Sequence, residues 1–484
     1  MKLTGHLKCR CRKIVWEIVF FVGCWLASNT TQAAEIVRND NWKMDVSGVL
    51  AGHTSGMHLF WPWQVVAGAP ALGAFGWDSR DGLTGNSEIR LQFSGRFRED
   101  VLAWDVQTKV GFGLFSQPNM ASIFGQDSAT AAAEPPRSLP LQYTDSLEKR
   151  TLFASIDRLW VRTRVGPADI LLGRQAIGFG VGLIWQPADL LGTFSPLAID
   201  REFKPGVDAL RVNFTFGQDT ELALVVAPGA FACLHTQRPT SANPLLPSVW
   251  QTPFGEPCSP GELRYDAEAT SGLVRLRTTI SEFDIGLLAG TVRGDLIGGT
   301  FTAGTIGRWK FSAEVTFTHD QDANTPDNDD VSFRRNFMRA VAGFEYHFDF
   351  QKPLHVYSAF YYNGYGSIHT EDYMTISQSA RVAIYHEIVN FGRYYLGAGG
   401  LWELSDKLKT SLLCMGNLTD ASTLVSLSLE FLLSNESLLY VGGLLPAGKR
   451  PTLITTDFIP TGLDPGSEFG MAPAMIYVLF KQYF

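Results

Sequence analysis

An all-β fold, a single antiparallel transmembrane β-barrel of about 16–18 strands, is what this sequence predicts. Three observations carry the prediction. Segments of strand length alternate apolar and polar residues along most of the chain. Charged residues make up only 18% of the 484, while glycine (47) and phenylalanine (33) are abundant. Beyond the opening segment, no stretch offers the ~18 uninterrupted apolar residues of a spanning helix.

The opening residues form a separate element. Lys2, Lys8, Arg10, Arg12 and Lys13 make a basic region, Ile14 to Ala27 an apolar one, and Thr31-Gln32-Ala33 a small-residue site before Ala34. That order reads as a secretory signal peptide over residues 1–33, leaving 34–484 for the barrel. Phe21-Val22-Gly23-Cys24 is a partial lipobox, but Phe21 and the apolar Trp25-Leu26-Ala27 favour cleavage after Ala33. The formal net charge of −8 becomes more negative once those five cations are removed, and a nucleic-acid binder is excluded.

The strands follow from parity. Ile89, Leu91, Phe93, Gly95 and Phe97 oppose Glu88, Arg90, Gln92, Ser94, Arg96 and Arg98. Leu102, Trp104, Val106, Val110 and Phe112 oppose Asp105, Gln107 and Lys109. The same pattern recurs over 309–318, 354–362 and 423–431. Noisier versions lie near 42–52, 153–165, 168–175, 207–216, 220–227, 272–280, 283–292, 300–306, 337–348, 380–390, 394–402, 408–417, 437–444 and 472–484. A soluble sandwich alternates too, but strands of about 9–11 residues with aromatic ends match a membrane span. Gly166-Pro167, Phe350–Pro353 and Ser434-Asn435 read as short periplasmic turns. Segments 115–150, 229–262, 319–335, 363–378 and 446–470 read as external loops. Ile476, Val478, Phe480 and Phe484 share one face of the last segment. A terminal phenylalanine resembles the assembly signal of Gram-negative outer-membrane proteins, which implies recognition of Phe484 by the barrel-assembly machinery.

Charge falls on the polar parity. Arg90, Arg96, Arg98, Lys109, Arg158, Arg162, Arg164, Arg211, Arg275, Arg277, Lys310, Arg339 and Arg381 stand there against Glu88, Asp105, Glu314, Glu345 and Glu430. An arginine at the bilayer midplane costs ~2–4 kcal/mol, so this face lines the lumen. A basic lumen lowers the energy of anions inside it. The alternative is that the arginines brace the wall by pairing with loop carboxylates.

The run from Gly173 to Asp208 is too apolar for a solvated loop, and Pro187, Pro196 and Pro205 bar it from a central strand. It is expected to fold into the barrel over 176–206, where Asp189, Asp200, Arg201, Glu202, Lys204 and Asp208 meet the arginine wall and narrow the pore. A strand–turn–strand hairpin is the alternative. Its pattern, G-R-Q-x-I-G-x-G-x-G-x-x-W-x-P-x-D-L-L followed by I-D-R-E-x-K-P-G-V-D-A-L, resembles one found in porin-like outer-membrane barrels of Gram-negative bacteria. The resemblance implies an outer-membrane channel and supplies no ligand.

Cys233 and Cys258 sit in one Pro-rich external segment and are expected to form a disulfide, with roughly 3 kcal/mol of local constraint. Cys414 reads as a small packed side chain. The acidic run Asp320–Asp330 opens like a calcium loop but lacks the glycine and the closing glutamate that geometry requires, so no metal is assigned. His319, His347, His355, His369 and His386 are scattered, with no serine motif beside them and no C-x-x-C-H. No catalytic residue or cofactor is expected. The function read from these features is passive diffusion of small hydrophilic solutes, anions preferred, through the outer membrane. The alternative is a barrel sheath around a multihaem cytochrome in an electron-transfer complex. Expected partners are outer-membrane lipid and lipopolysaccharide, with either further copies of the chain or a periplasmic protein.

Overall fold

The computed structural model describes residues 34–38, 42–58, 81–98, 101–115, 138–139, 141–147, 150–193, 196, 202–232, 234–235, 250–251, 263–265, 269–320, 336–383, 385–456 and 459–484. Residues 1–33, Asp200, Arg201, Cys233, Cys258 and most of the acidic run lie outside them, and with them the signal-peptide, disulfide and calcium-loop readings.

Eighteen strands close into one antiparallel ring. They are β1 (Trp42–His58), β2 (Asp81–Phe97), β3 (Leu102–Phe115), β4 (Arg150–Val165), β5 (Ala168–Gln175) and β6 (Val207–Phe216). Next come β7 (Thr220–Ala227), β8 (Ser271–Ile280), β9 (Phe283–Val292), β10 (Asp295–Ile306), β11 (Trp309–His319) and β12 (Asn336–Phe348). The ring is completed by β13 (Leu354–Asn363), β14 (Tyr394–Ser405), β15 (Leu408–Asn417), β16 (Ser422–Ser434), β17 (Ser437–Ala447) and β18 (Ala474–Tyr483). Each pairs with its neighbours in order, and β18 pairs back onto β1 from Val49↔Tyr483 to His58↔Ala474. The pairing of β18 with β1 leaves neither terminal strand with a free edge along that ladder. Beyond that ladder Phe484 and Gly48 exchange backbone hydrogen bonds of 2.8 and 3.0 Å.

Every alternating segment of the sequence forms a strand except 380–390. That stretch holds a short helix, Ala380–Ala383, and irregular backbone through Asn390. Its mixture of apolar and charged residues comes from a loop packed on several sides: Val382 and Ile388 enter an apolar cluster while Arg381 and Glu387 pair with each other. Arg381 is therefore a loop residue and not part of the wall. Odd strands run to the end with the long connections, and even strands run to short turns such as Gly166-Pro167, which places that end on the periplasmic side.

The outward face is apolar. Leu172, Leu287, Leu445 and Ile476 are 58–69% exposed there, as lipid-facing side chains must be in an isolated chain. Near the short-turn end, Trp309, Phe344, Tyr346, Phe348 and Phe350 form a run of touching rings with centroids 4.6–5.6 Å apart, the position of an interfacial girdle. Cys414 also lies on this outward face, exposed beside buried Met415, so it faces lipid and is not a packed core residue. Among the described residues no helix is long and apolar enough to cross a membrane.

Leu287→Arg, at mid-strand on β9, places a charge in the apolar belt. It is expected to lower unfolding free energy in lipid vesicles by about 2–4 kcal/mol, as read from a denaturant titration.

Candidate functional site

The site begins where the chain leaves the wall. Gly173 has φ +116, and a Cβ there would lie 2.2 Å from the Leu159 carbonyl oxygen, so only glycine permits the kink. After Gln175 the chain turns away. Its place beside the upper part of β4 is taken by a short strand, Gln142–Leu147, which pairs with Arg150–Ser155. Arg174, fully buried, fills the corner between the departing and substituting segments. It binds Asp208 through Nε (2.8 Å) and Nη2 (2.9 Å), and donates to the carbonyls of Ile156 (2.8 Å) and Leu139 (2.7 Å). The Leu139 N–H donates in turn to Asp208 Oδ2 at 2.9 Å.

Asp208 is thus a wall residue on β6 and does not belong to the loop. It is the register partner of Arg174, on the face opposite Val207 and Ala209, whose side chains enter an inner apolar cluster.

Between β5 and β6, residues 176–193 and 202–206 lie against the inner side of the wall. Ile177, Phe179, Ala188, Leu190 and Leu191 pack against Val207, Ala209, Val225, Ala227, Leu273, Leu288, Val292 and Ile297, the inner face of β6–β10. Ile184 and Trp185 pack against Val341, Tyr361, Tyr395, Met415, Leu444 and Tyr477 on the far wall. Trp185 stacks on Tyr361 at 5.3 Å and donates Nε1–H to Asn390 at 2.9 Å. Glu314 of β11, 1% exposed, accepts from the N–H groups of Val181 (2.5 Å), Gly182 (2.6 Å) and Ala188 (2.9 Å). A Cβ at Gly182 would lie 2.1 Å from the Trp185 carbonyl, so this tight bend also requires glycine. On the return leg Glu202 accepts from Lys481 Nζ (2.6 Å) and the Tyr483 hydroxyl (2.8 Å), and the Arg90 guanidinium sits 4.4 Å above the Phe203 ring. A segment rooted at β5 and β6 can touch β2, β11, β13 and β18 only from inside the ring.

The loop's charges are used differently from the sequence expectation. Asp189 accepts from Phe179 N–H and Gly180 N–H and pairs with Lys204 at 2.5 Å, tying the two legs of the loop to each other. The loop meets the arginine wall through Arg158, which donates to the Lys204 carbonyl, and through the Arg90–Phe203 contact.

Much of the wall is braced. Arg90 pairs with Glu88 (2.9 Å) and Asp157 (3.0 Å), Arg162 is bidentate to Asp169 (both 2.7 Å), Arg277 binds Asp284 (2.7 Å), Arg211 lies 3.5 Å from Glu221 and Lys310 lies 2.8 Å from Glu345. Asp157, Asp169, Glu221 and Asp284 are inner-face acids that the parity count missed. Two of them had a readable signal, because Arg162/Asp169 and Arg277/Asp284 flank their hairpin turns at near-symmetrical positions. Arg275 lies between the rings of Phe179 and Phe301, 5.5 and 4.7 Å away. Arg96, Arg98 and Arg164 are exposed at the short-turn end.

Toward the end with the long connections a second inward segment packs against the wall. Tyr373, Ile376, Val382, Ile388 and Phe391 of the segment between β13 and β14 pack with Phe337, Tyr365 and Met471. Glu387 anchors it, buried among Arg339 (2.8 Å), Arg293 (3.2 Å) and Arg381 (3.2 Å), and Arg381 also holds Asp295 at 2.7 Å. Burial alone would raise the Glu387 carboxyl, but Arg339, Arg381 and Arg293 together outweigh it and hold it at about 2. Glu468, in the short helix Glu468–Met471, accepts from Asn390 (2.9 Å), Asn417 (2.9 Å), the Gly392 N–H (3.2 Å) and the Tyr395 hydroxyl. Burial pushes its carboxyl up to about 7, against the opposing pull of those donors.

Closure, an apolar outward belt and a segment laid against the inner side of the wall define a large outer-membrane β-barrel. No protein-family model matches the chain, and no curated protein matches it in sequence. In fold it is similar to Pseudomonas aeruginosa OccD3 (OpdP), at 7% identity and TM-score 0.48, covering 94% of this chain and 93% of that one. It is similar also to OccK9 (OpdG) of the same organism (9%, TM-score 0.48, 91% and 98%) and to a BenF-like porin of Pseudomonas fluorescens Pf-5 (7%, TM-score 0.46, 91% and 98%).

Two expectations follow. Arg174→Ala leaves Asp208 buried and unpaired, and should cost about 3–5 kcal/mol of unfolding free energy in a denaturant titration. The two loop carboxylates should act on stability with opposite sign. Glu468, raised in the fold, contributes fully below its unfolded value of 4.5 and loses that contribution as pH rises to about 7. Glu387, lowered in the fold, contributes above 4.5 and loses it as pH falls toward about 2. Denaturation midpoints measured across pH should therefore show Glu468→Gln flattening the decline between 4.5 and 7, and Glu387→Gln flattening the acid limb.

Proposed function

We propose that the protein is an outer-membrane channel for passive diffusion of small hydrophilic solutes, with anions favoured over cations. The observation that carries this reading is the bonding of Val181, Gly182 and Ala188, from the segment between β5 and β6, to Glu314 on β11, which supports a loop over 176–206 that enters the lumen. It narrows the passage at one level and leaves the periplasmic mouth to exposed Arg96, Arg98 and Arg164. Steric selection then falls to the loop, and charge selection to cations at the mouth, where opposing carboxylates such as Asp169 and Asp284 are already occupied by Arg162 and Arg277. A sheath for a cytochrome needs a lumen that a partner can fill. The buried contacts of Ile184 and Trp185 with the far wall speak for a lumen furnished by the chain itself.

The refolded protein in a planar bilayer under a KCl gradient should give stable conductance steps with an anion-directed reversal potential. Arg96→Glu combined with Arg98→Glu should move that potential toward cations. A correctly folded barrel that passes no current would overturn the channel reading, and an unmoved potential would overturn the role of the two arginines.

A further inference from the structure

We infer that the periplasmic end of the lumen carries a binding site for a divalent transition-metal ion, formed by Glu345, His347 and His355. In sequence these groups look unrelated. Pairing of β12 with β13 makes His347 and His355 direct cross-strand partners, next to the turn that joins the two strands. Glu345 is two residues before His347, so all three side chains share the inner face, opposite the outward Phe344 and Phe360.

The geometry is close to what coordination needs. One ligand atom from each residue lies within 4.8 Å of the others. The two imidazoles lie parallel at 4.1 Å, and His355 Nε2 is 3.0 Å from Glu345 Oε2. Coordination requires the two rings to tilt out of this stacked arrangement so that one nitrogen of each faces a point beside that oxygen. Two imidazoles and one carboxylate make a donor set suited to Zn²⁺ or Cu²⁺, with the remaining positions open to water from the lumen. His347 is exposed, so an ion can reach the site.

The second carboxylate oxygen is already spoken for. Lys310 Nζ donates to Glu345 Oε1 at 2.8 Å, which orients Oε2 toward His355. A hydrogen-bonded carboxylate is the usual outer support of a ligating group, while the ammonium charge works against a second cation. The two effects together point to a site that exchanges its ion and does not lock it in. Being anchored on a rigid hairpin next to the girdle aromatics, it needs no loop closure to form.

Cu²⁺ titrated into the refolded full chain, followed by electron paramagnetic resonance, should show an ion with two nitrogen ligands. His347→Ala and His355→Ala should each abolish that two-nitrogen signal, and Glu345→Gln should weaken binding by tenfold or more. Zn²⁺ should displace the bound Cu²⁺. Circular dichroism of each variant checks that the barrel remains folded. A signal that persists in both histidine variants, or no bound ion in the unaltered protein, would overturn the site. The readout needs no current, so its result is independent of whether the barrel conducts.

Discussion

A strand that leaves a closed sheet halfway up its height creates a hole in the wall and a set of backbone groups with no ladder partner. The rest of this structure depends on how that is resolved at Arg174. One guanidinium satisfies Asp208 and the carbonyls of Ile156 and Leu139, so it joins the departing β5, the returning β6, the long β4 and the segment that replaces β5. A lysine has one point of charge and could not make that planar set of bonds. Together with the kink at Gly173, the clamp fixes the point from which the chain leaves the wall after Gln175.

Once inside, the loop is held by the same physics that holds a soluble core. Its apolar residues cover the inner faces of β6–β10 and of β12–β18, the N–H groups of Val181, Gly182 and Ala188 find Glu314, and those of Phe179 and Gly180 find Asp189. A barrel of this width would otherwise enclose water against a partly apolar wall. The inward-facing tyrosines and methionines of the later strands, such as Tyr361, Tyr395 and Met415, make sense only with Trp185 set among them. The segment between β13 and β14 joins this packing through the hydrogen bond from Trp185 to Asn390. The lumen is layered, each layer resting on the one beneath.

Parity made the wall legible, because a lipid-facing side and a water-facing side must alternate along every strand. It failed at 380–390, where a loop packed on several sides imitates alternation. It also undercounted inner acids, since Asp157 sits at a bulge in the β3–β4 ladder and Asp169 and Glu221 lie in short, noisy strands. Prolines and apolar content set the segment after Gln175 apart from the strands, but its contacts were not readable. Nothing in the sequence links Glu314 to Gly182, more than a hundred residues away, and Asp208 looked like a loop acid until its register with Arg174 was known. The pairing of His347 with His355 was hidden for the same reason, because only strand register brings them together.

The substitution of Gln142–Leu147 for the upper part of β5 also constrains something outside the molecule. Above the level of Gln175 and Val207 the ladder is interrupted. Links across the gap include the Leu139 N–H to Asp208 and a side-chain bond from Ser138 to the Pro228 carbonyl. Backbone groups at such a seam cannot face hydrocarbon without water or protein to satisfy them. Lipid beside the seam therefore meets the substituting strand and its outward neighbours Leu152, Phe112 and Val226, while water or protein must meet any backbone group that the interruption leaves without a ladder partner.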